Sequence, residues 1–309
     1  MKLNRWIYIG LLALVMGGCG YGGSGSSTDA PPSWEGEAVL QAALDELPHG
    51  GVLTIAPGVY RENLVVTGKV VHLQGAPGRT IIDGRGATCL TITNASGSSV
   101  TGLSFVNGED GISTNSILTI EECSFTNNVD GVDYEGGGGL LEGNLFHGNR
   151  DDAVDLDQDT AVRIMDNLIS ASGDDGIEIR LHPHDGAALS IDIQNNTLTG
   201  NRANGIQLID YEVDTHRNFD VSGNTFIENR FNAIAYADNQ DTAPSYDIGE
   251  ITESVTITDN RFYPANYAFT GSGPGTFFQG NTVFSRSGDG TLNTTGDIAV
   301  SDNVFIQLD

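Results

Sequence analysis

The feature that most constrains the fold is a short motif that recurs through the chain. An apolar residue is followed by two variable residues, Asn, one variable residue and a second apolar residue. The asparagines of the motif are Asn144, Asn167, Asn196, Asn224, Asn260, Asn281 and Asn303, and Leu103 and Cys123 hold the same position in earlier copies. Successive copies are 20, 21, 23, 29, 28, 36, 21 and 22 residues apart.

A repeat of about 22 residues, built from short apolar runs joined by Asn and Gly, leaves no room for a crossover helix in each unit. It therefore predicts a β-solenoid whose turns stack about 4.8 Å apart. Asn tolerates left-handed backbone, so we expect that conformation at the motif asparagine. We also expect the side-chain amides to bond to one another along the axis.

The N-terminal residues look like a targeting segment. Lys2 and Arg5 precede an apolar run over residues 6–16, which is shorter than the roughly twenty residues that span a bilayer. The sequence Met-Gly-Gly-Cys that ends at Cys19 resembles a bacterial lipobox. The resemblance implies a signal peptide over 1–18, lipidation of Cys19, and anchoring to the bacterial outer membrane or cell surface. The alternative is an ordinary secretory signal with an incidental Cys19.

Residues 19–33 are rich in Gly and Ser and predict a flexible tether, so 34–309 is left as one domain. The chain has 41 acidic against 14 basic residues, a net charge of −27. Such a surface repels nucleic acid, which we exclude as a partner, and it favours cations. Apart from Cys19, the cysteines are Cys89 and Cys123, so disulfides cannot be the main source of stability.

The start of the domain also has a recognisable pattern. Residues 37–47 predict a short amphipathic helix, which would cover the open end of the solenoid. The segment 51–64, Gly-Val-Leu-Thr-Ile-Ala-Pro-Gly-Val-Tyr-Arg-Glu-Asn-Leu, resembles the opening turns of the pectin lyase and pectin methylesterase superfamily. The resemblance implies an all-β fold, a single-stranded right-handed parallel β-helix with a short N-terminal capping helix.

A second motif precedes the Asn repeat, and its alignment orders residues into columns. Two columns should face inward: Ile112, Val132, Val154, Ile177, Ile206 and Ile234, and then Thr114, Tyr134, Leu156, Ile179, Leu208 and Tyr236. By strand alternation the residues between these columns face outward. The outward columns hold Asp110, Asp130, Asp152 and Asp175 at the turn, then Asp133, Asp155 and Glu178, and then Glu135, Asp157 and Arg180.

Stacked carboxylates need a compensating charge. Two of them about 5 Å apart repel by roughly 3 kcal/mol at an effective dielectric constant near 20. Calcium accepts six to eight oxygen ligands in flexible geometry, so we predict a calcium site formed by Asp133, Asp155, Glu178 and Asp157. Raised carboxylate pKa values are the alternative remedy. The column at the turn is also explained by the ordinary turn-forming tendency of Asp-Gly.

Three successive turns are long, and their additional residues follow the acidic strands at 181–189, 210–219 and 238–250. Insertions on one face of a solenoid commonly build its binding face. The residues expected to bind substrate there are His182, Asp185, Tyr211, His216, Arg217 and Tyr246. Acids, histidines and tyrosines in one groove are typical of a site for a sugar polymer, so a polysaccharide is the expected partner.

The pattern of outward acids with one basic residue is similar to that of pectate lyases, where acids hold calcium and an Arg or Lys removes the C5 proton of a uronate. The resemblance implies that Arg180 is the base. His184, in His182-Pro-His184-Asp185, is similar to the Asp-Pro-His motif of alginate epimerases, which adds a second catalytic candidate. The expected activity is a calcium-dependent lyase or epimerase reaction on an acidic polysaccharide.

Two alternatives stay open at this point. Asn128-Val-Asp130-Gly, with the later pairs Asp151-Asp152 and Asp174-Asp175, resembles the carboxylates of polygalacturonases, which are inverting glycosidases. The following turns read Ala-Asn-Gly and Phe-Asn-Ala, where that family has Gly-His-Gly. The other alternative is a non-catalytic carbohydrate-binding or adhesion solenoid in which calcium is structural.

Overall fold

The computed structural model describes residues 33–34, 39–211, 215–238, 249–286 and 292–308. They belong to one compact unit, Pro31–Asp309. From Leu64 onward, each turn of the chain contributes one strand to each of three parallel sheets, which we call sheets I, II and III in the order in which a turn passes through them. The predicted β-helix is confirmed.

The strands of sheet I are Leu64–Thr67, Leu90–Thr93, Asp110–Thr114, the first part of Asp130–Glu142, the first part of Val154–Met165, Ile177–Leu181, Ile206–Asp210, Asn232–Asp238, Tyr267–Thr270 and Leu292–Asn293. Sheet II contains Gly51–Thr54, Val71–Gln74, Ser98–Thr101, Ile117–Glu121, the remainders of the two long strands, Leu189–Gln194, Arg217–Ser222, Ser254–Thr258, Thr276–Gln279 and Ala299–Ser301. The two long strands run from sheet I into sheet II, and their register shifts between Glu135 and Gly137.

The strands of sheet III are Ser33–Trp34, Gly58–Tyr60, Thr80–Asp83, Ser104–Val106, Ser124–Thr126, Leu145–His147, Leu168–Ser170, Thr197–Thr199, Thr225–Ile227, Arg261–Tyr263, Thr282–Ser285 and Val304–Gln307. On the inner side of this sheet, the rings of Phe105, Phe125 and Phe146 stack with centroids 5.3 and 4.7 Å apart. Apolar burial of such columns is the main stabilising contribution in the solenoid.

The predicted register of sheet I is confirmed. Val132 pairs with Ile112 on one side and with Val154 on the other, and Ile177 continues the column. All four side chains are fully buried. Because side chains alternate along a strand, this register turns the residues between the apolar columns toward the outer surface.

The motif asparagines lie at the corner between sheets II and III, and their side chains are buried except that of Asn303, which is partly buried. The Asn144 amide donates to Asn167 Oδ1 at 3.0 Å, and the Asn167 amide donates to Asn196 Oδ1 at 2.9 Å. The same bond links each motif asparagine to the next as far as Asn303. Since each side-chain amide donates a hydrogen bond to the oxygen of the next asparagine, the buried polar column is compatible with the apolar core.

The prediction of a left-handed backbone at the motif asparagine is wrong, because that conformation lies one residue earlier. The residue before it takes that conformation, with φ of +55° at Asp166, +58° at Asn195 and +56° at Asp259. Gly143, Gly223 and Gly280 do the same in other turns. The chain thus reverses one residue earlier, and the asparagine that follows points its side chain inward to the ladder.

A second asparagine column, which the sequence did not reveal, lies at the corner between sheets III and I. Asn128 donates its amide to Asn149 Oδ1 at 3.3 Å, and Asn201 donates to Asn229 Oδ1 at 2.9 Å. Ser172 stands between these two pairs and interrupts the column. Asn149 Nδ2 and Ser172 Oγ are buried and have no hydrogen-bond partner in the described part of the chain.

The predicted helix is present over Val39–Glu46, while residues 35–38 lie outside the described ranges. It buries Leu40 and Leu44 and packs against strand Leu64–Thr67. The carboxylate of Glu62 accepts hydrogen bonds from the first described N–H groups of the helix, at 3.0 to 3.1 Å. The Lys69 ammonium donates to carbonyls at its C-terminal end. Both charges complement the helix dipole.

Cys89 and Cys123 are buried, and neither forms a disulfide. Burial raises the pKa of both thiols to about 12. They are therefore inert core residues. Within the described ranges, no helix is long and apolar enough to cross a membrane.

Candidate functional site

The acids of sheet I form a cluster on its outer surface. Asp133 pairs in register with Asp155, and Asp155 pairs with Glu178. Their neighbours along the strands, such as Tyr134 and Leu156, point into the core. The predicted column is therefore real, with three carboxylates on three successive turns. We call it, together with Asp157, the acid cluster.

Arg180 lies over this cluster. Its Nη1 is 2.6 Å from Asp155 Oδ2 and 3.6 Å from Asp157 Oδ2, and its Nη2 forms an ion pair with Glu178. The acidic neighbours raise the pKa of Arg180 above its ordinary value although burial opposes this. The guanidinium is therefore the internal counter-ion of the cluster.

One arginine does not satisfy all the acids. Asp155 and Glu178 are only 9% and 1% exposed. Asp133 Oδ1 and Asp155 Oδ1 are buried, and no hydrogen bond reaches either of them from the described residues. A buried carboxylate oxygen without a donor is costly, and a bound cation is one of the few groups that relieve it.

The geometry suits a hard cation. One set of carboxylate oxygens, from Asp133, Asp155 and Asp157, lies within 4.8 Å of one another, and a second set comes from Asp152, Asp155 and Glu178. Oxygen ligands from carboxylates are those that calcium prefers. The four predicted calcium ligands thus all belong to these sets. Asp152 is an addition that the sequence assigned to the turn.

The protonation of the cluster depends on the same burial. Burial, followed by the charges of Asp110 and Asp155, raises the pKa of Asp133 to about 8. For Asp155, burial raises the pKa to about 6, and the charge of Arg180 limits the rise. Burial also raises the pKa of Asp130, to about 7. Proton uptake by these carboxylates near neutral pH is therefore the alternative to a bound cation.

The turn column is a hydrogen-bonded ladder, and Asp152 is its one member that also belongs to a possible ligand set. Asp130 Oδ1 accepts the N–H of Asp152 at 3.0 Å, and Asp152 Oδ1 accepts the N–H of Asp175 at 2.7 Å. Asp152 and Asp175 are 4% and 1% exposed, and Asn204 continues the column. Carboxylates held in this way serve the fold, which weighs against the inverting-glycosidase alternative based on them.

Beyond the acid cluster, the outer face of sheet I is covered. The outward residues Gln207, Ile209, Ala235 and Ala237 are at most 1% exposed. These strands belong to the turns with the long insertions. The acid cluster therefore lies next to a part of sheet I whose outward side chains are buried.

His182 and Tyr211, two of the predicted substrate-binding residues, contact the cluster. His182 Nε2 lies 3.2 Å from Asp157 Oδ1, and its ring stacks on Tyr211 with centroids 5.4 Å apart. Arg180 is close enough to Tyr211 to affect the pKa of its hydroxyl. Burial raises the pKa of Tyr211, and the positive charge of Arg180 partly offsets this. An imidazole, a phenol and a guanidinium thus converge beside the acids.

His184, which the sequence placed with Arg180, is held by its own loop and by the strand Val154–Met165 of the preceding turn. Its Nδ1 lies 2.9 Å from Asp159 Oδ1, and its Nε2 lies 3.0 Å from the carbonyl of Ala187. Asp185 is exposed, and His216 Nδ1 is 3.3 Å from the Gly186 carbonyl. The structure does not bring these three residues to the acid cluster. Tyr246 and Cys19 lie outside the described residues.

Arg217 differs most from its predicted place on the surface, since it is 3% exposed. Its guanidinium donates to the carbonyls of His182, at 2.7 Å, and of Thr215, at 3.2 Å, and also to the carbonyl of Gln158. The burial reflects these backbone bonds, which compensate the charge. Arg217 therefore positions the backbone of His182 instead of facing a ligand.

Comparison with known proteins supports the architecture. A family model described as a right-handed beta helix region matches residues 81–246. The catalytic unit of a GH87 α-1,3-glucanase from Streptomyces thermodiastaticus is similar, with 17% identity, 91% of this chain and 69% of that chain covered, and a TM-score of 0.56. A search of curated protein sequences gave no significant match.

Two further structures are similar over most of both chains. The A-module of the mannuronan C-5 epimerase AlgE4 from Azotobacter vinelandii has 17% identity, covers 90% of this chain and 93% of its own, and gives a TM-score of 0.56. An alginate lyase from a Paenibacillus species has 13% identity. The match covers 87% of this chain and 95% of the lyase chain, with a TM-score of 0.50. At these identities the likeness shows the fold alone.

Proposed function

Because this chain belongs to the family of right-handed beta helix proteins, we propose that its acid cluster is a calcium-dependent site for β-elimination or C5 epimerisation of an acidic, uronate-containing polysaccharide. The observation that carries the proposal is the pair of buried, unpartnered oxygens Asp133 Oδ1 and Asp155 Oδ1. A polyanion can approach so acidic a surface only where cations compensate the charge. Two of the similar structures, the mannuronan C-5 epimerase and the alginate lyase, act on such polymers, which is compatible with the proposal.

Calcium would be held by Asp133, Asp155, Asp157 and Glu178, with Asp152 beside them. When bound there, the ion would neutralise the carboxylate of the sugar and acidify the adjacent C5 proton. Glu178 and Asp155 now face Arg180, so the guanidinium must share these carboxylates with the ion or move toward the substrate. In either position, Arg180 supplies a fixed positive charge for a uronate carboxylate.

His182 is the best-placed proton acceptor. If Nε2 carries the proton that faces Asp157, Nδ1 is left with a lone pair, and the contact with Asp157 orients the ring. Arg217 holds the backbone of the same residue. The sequence-based assignment of Arg180 as base would require the guanidinium to lose a proton that its acidic neighbours stabilise.

Tyr211 is the matching proton donor. Its raised pKa keeps the hydroxyl protonated at neutral pH. In β-elimination, His182 takes the C5 proton, the electron pair forms the C4–C5 double bond, and the C4–O bond breaks with the proton of Tyr211 passing to the leaving oxygen. In epimerisation, Tyr211 instead returns a proton to the opposite face of C5.

The test is incubation of the protein with pectate, alginate and a neutral glucan, each with calcium and with EGTA. We expect calcium-dependent ultraviolet absorbance of unsaturated uronate ends on one acidic polymer, or deuterium uptake at C5 without chain cleavage. New reducing ends without that absorbance would indicate hydrolysis and contradict the proposal. So would equal activity on the neutral glucan.

One observation favours a second candidate, a non-catalytic carbohydrate-binding solenoid with structural calcium. The ion pairs of Arg180 already stabilise the acid cluster as part of the fold. In this case EGTA lowers the melting temperature, while no polymer is cleaved or exchanged. The same incubation therefore separates the two candidates.

We also propose that the protein is anchored by a lipid on Cys19 at the outer membrane or cell surface, following the lipobox-like sequence before it. Lipid attachment would present the solenoid to extracellular polymers. Metabolic labelling with a tritiated fatty acid tests this. Label is expected on the intact chain and is lost in Cys19→Ser. Equal labelling of both would contradict the anchor.

A further inference from the structure

A groove of about 760 Å³ lies away from the acid cluster, at the corner between sheets III and I in the last turns of the solenoid. We call it the corner groove, and the residues that matter in it are Ile227, Arg230, Tyr263, Asn266, Phe284 and Arg286. Its floor comes from the ends of sheet III strands, and its wall from the turns that follow them. The acid cluster faces outward from the middle of sheet I instead.

The aromatic residues of the corner groove are not required by the fold. Ile227 pairs with Tyr263 in the outward column of sheet III, and Phe284 follows on the next turn. Earlier members of that column are Val106, Thr126, His147, Ser170 and Thr199. The rings of Tyr263 and Phe284 stack in parallel with centroids 4.3 Å apart. An outward aromatic pair in a concave surface is typical of a ligand site.

The charge of this region also differs from that of the chain as a whole. From Ser104 to Ile306, no outward residue on the described strands of sheet III is acidic, although the net charge of the chain is −27. Arg230 and Arg286 line the corner groove, and Glu228, the acid there, is paired with Arg286 at 3.1 Å. Arg202 lies one turn before Arg230 at the same corner position. An anion therefore meets less repulsion here than on sheet I.

We propose that the corner groove is a second, calcium-independent binding site for an acidic oligosaccharide. A sugar ring presents C–H groups that pack against aromatic side chains, here Tyr263 and Phe284. Its carboxylate pairs with the guanidinium of Arg230 or Arg286. The amide of Asn266 donates to the Arg230 carbonyl at 3.2 Å. No described residue donates to its side-chain oxygen, which can accept a proton from a sugar hydroxyl.

The inference rests on the proposed function only for the identity of the polymer. A second site of this kind would retain a long chain on the protein while another part of it occupies the acid cluster, so the apparent affinity exceeds that of either site. The corner groove uses arginines and the acid cluster uses a cation. Removal of calcium therefore separates the two sites.

The experiment is isothermal titration of the whole protein in EGTA with an oligogalacturonate, an oligoalginate and a neutral oligoglucan. We expect one of the acidic oligosaccharides to bind and the neutral one not to bind. Arg286→Ala, at a side chain that is 80% exposed, should weaken binding about tenfold. Phe284→Ala should weaken it similarly, and its melting temperature reports on folding.

Two control variants make the result specific. Arg163→Ala removes an exposed arginine of sheet II and should leave the affinity in EGTA unchanged. Asp192→Asn removes an acid of sheet II outside both proposed sites and should also leave it unchanged. Because the titration is done in EGTA, failure of the proposed calcium site and failure of this proposal are distinguishable. Absence of binding in EGTA, equal binding of the neutral glucan, or equal losses in Arg163→Ala and Arg286→Ala would each overturn the proposal.

An anionic lipid surface is the other source of negative charge. Vesicles containing phosphatidylglycerol serve as the probe in a sedimentation assay with the Cys19→Ser chain, which lacks the proposed lipid. We expect no binding, because the rest of this acidic surface is repelled by the vesicle. Binding of this chain to the vesicles, lost when Arg286→Ala is added, would assign the groove to a membrane and overturn the oligosaccharide proposal.

Discussion

Arg180 reaches back across one turn of the solenoid and lies 2.6 Å from the carboxylate of Asp155. The other oxygen of that carboxylate is buried and receives no hydrogen bond from the described residues. Arg180 thus supplies one positive charge to the four carboxylates of the acid cluster and leaves the remainder for a proton or a cation. This division of charge leads to specific expectations about metal, pH and stability.

Loss of a cluster carboxylate should impair calcium binding. Asp155→Asn keeps the shape of the side chain and removes one charged ligand from both possible ligand sets, so the affinity should fall by roughly a hundredfold. Terbium luminescence or calorimetry measures the change. Asp192→Asn, on sheet II beside Arg163, is the matched control, and an equal loss in both variants would refute the site.

Removal of Arg180 should make the fold depend on calcium. Arg180→Met leaves three carboxylates without their counter-ion, and the free energy of unfolding in EGTA should fall by about 2 kcal/mol. Calcium should restore most of it. Urea denaturation with and without calcium measures both values, and Arg163→Met provides an exposed control. A variant equally stable in EGTA would show that Arg180 does not hold the cluster together.

The catalytic assignment separates His182 from Arg180. His182→Ala should lower kcat at least about a hundredfold, because it removes the proposed proton acceptor. Arg180→Lys keeps a positive charge and should retain more activity than His182→Ala. Tyr211→Phe should also lower kcat strongly. If His182→Ala is nearly fully active and Arg180→Lys is much less active, His182 is not the base and Arg180 is the better candidate.

The stability of the calcium-free protein should fall as pH rises from about 4 to about 8. The pKa of Asp133 is about 8 in the folded chain and about 3.9 in an unfolded one. Between these two pKa values Asp133 is protonated in the folded state and ionised in the unfolded state. The free energy of unfolding therefore falls as the pH rises and the proton dissociates. Calorimetry in EGTA gives the trend, and Asp133→Asn should flatten it whereas Asp192→Asn should not. A melting temperature that rises over this range would contradict the assignment.

Completion of the second asparagine column should stabilise the protein. Ser172→Asn places an acceptor next to the unpartnered Asn149 amide and a donor next to Asn201, so the free energy of unfolding should rise by about 1 kcal/mol. Chemical denaturation measures the gain. Ser170→Asn, on an outward position of sheet III, controls for the added amide and should change stability little. A destabilised Ser172→Asn would mean that the corner has no room for the larger side chain.

Much of this architecture is readable from the sequence by itself. The fixed offset between each Asn and its flanking apolar residues sets the turn length, and strand alternation then determines which residues face out. The pairing of Asp133 with Asp155 and Glu178 follows, because a shift by one residue would turn every apolar side chain of the strand to the surface.

Only the tertiary structure decided what lies around those acids. The direction taken by the Arg180 side chain, the burial of Arg217 beneath His182 and the stacking of His182 on Tyr211 depend on loops that follow no repeat. The left-handed residue before each motif asparagine likewise depends on how the buried amide column is satisfied. A periodic pattern specifies strands and register, whereas contacts between inserted loops come from long-range packing that no local pattern encodes.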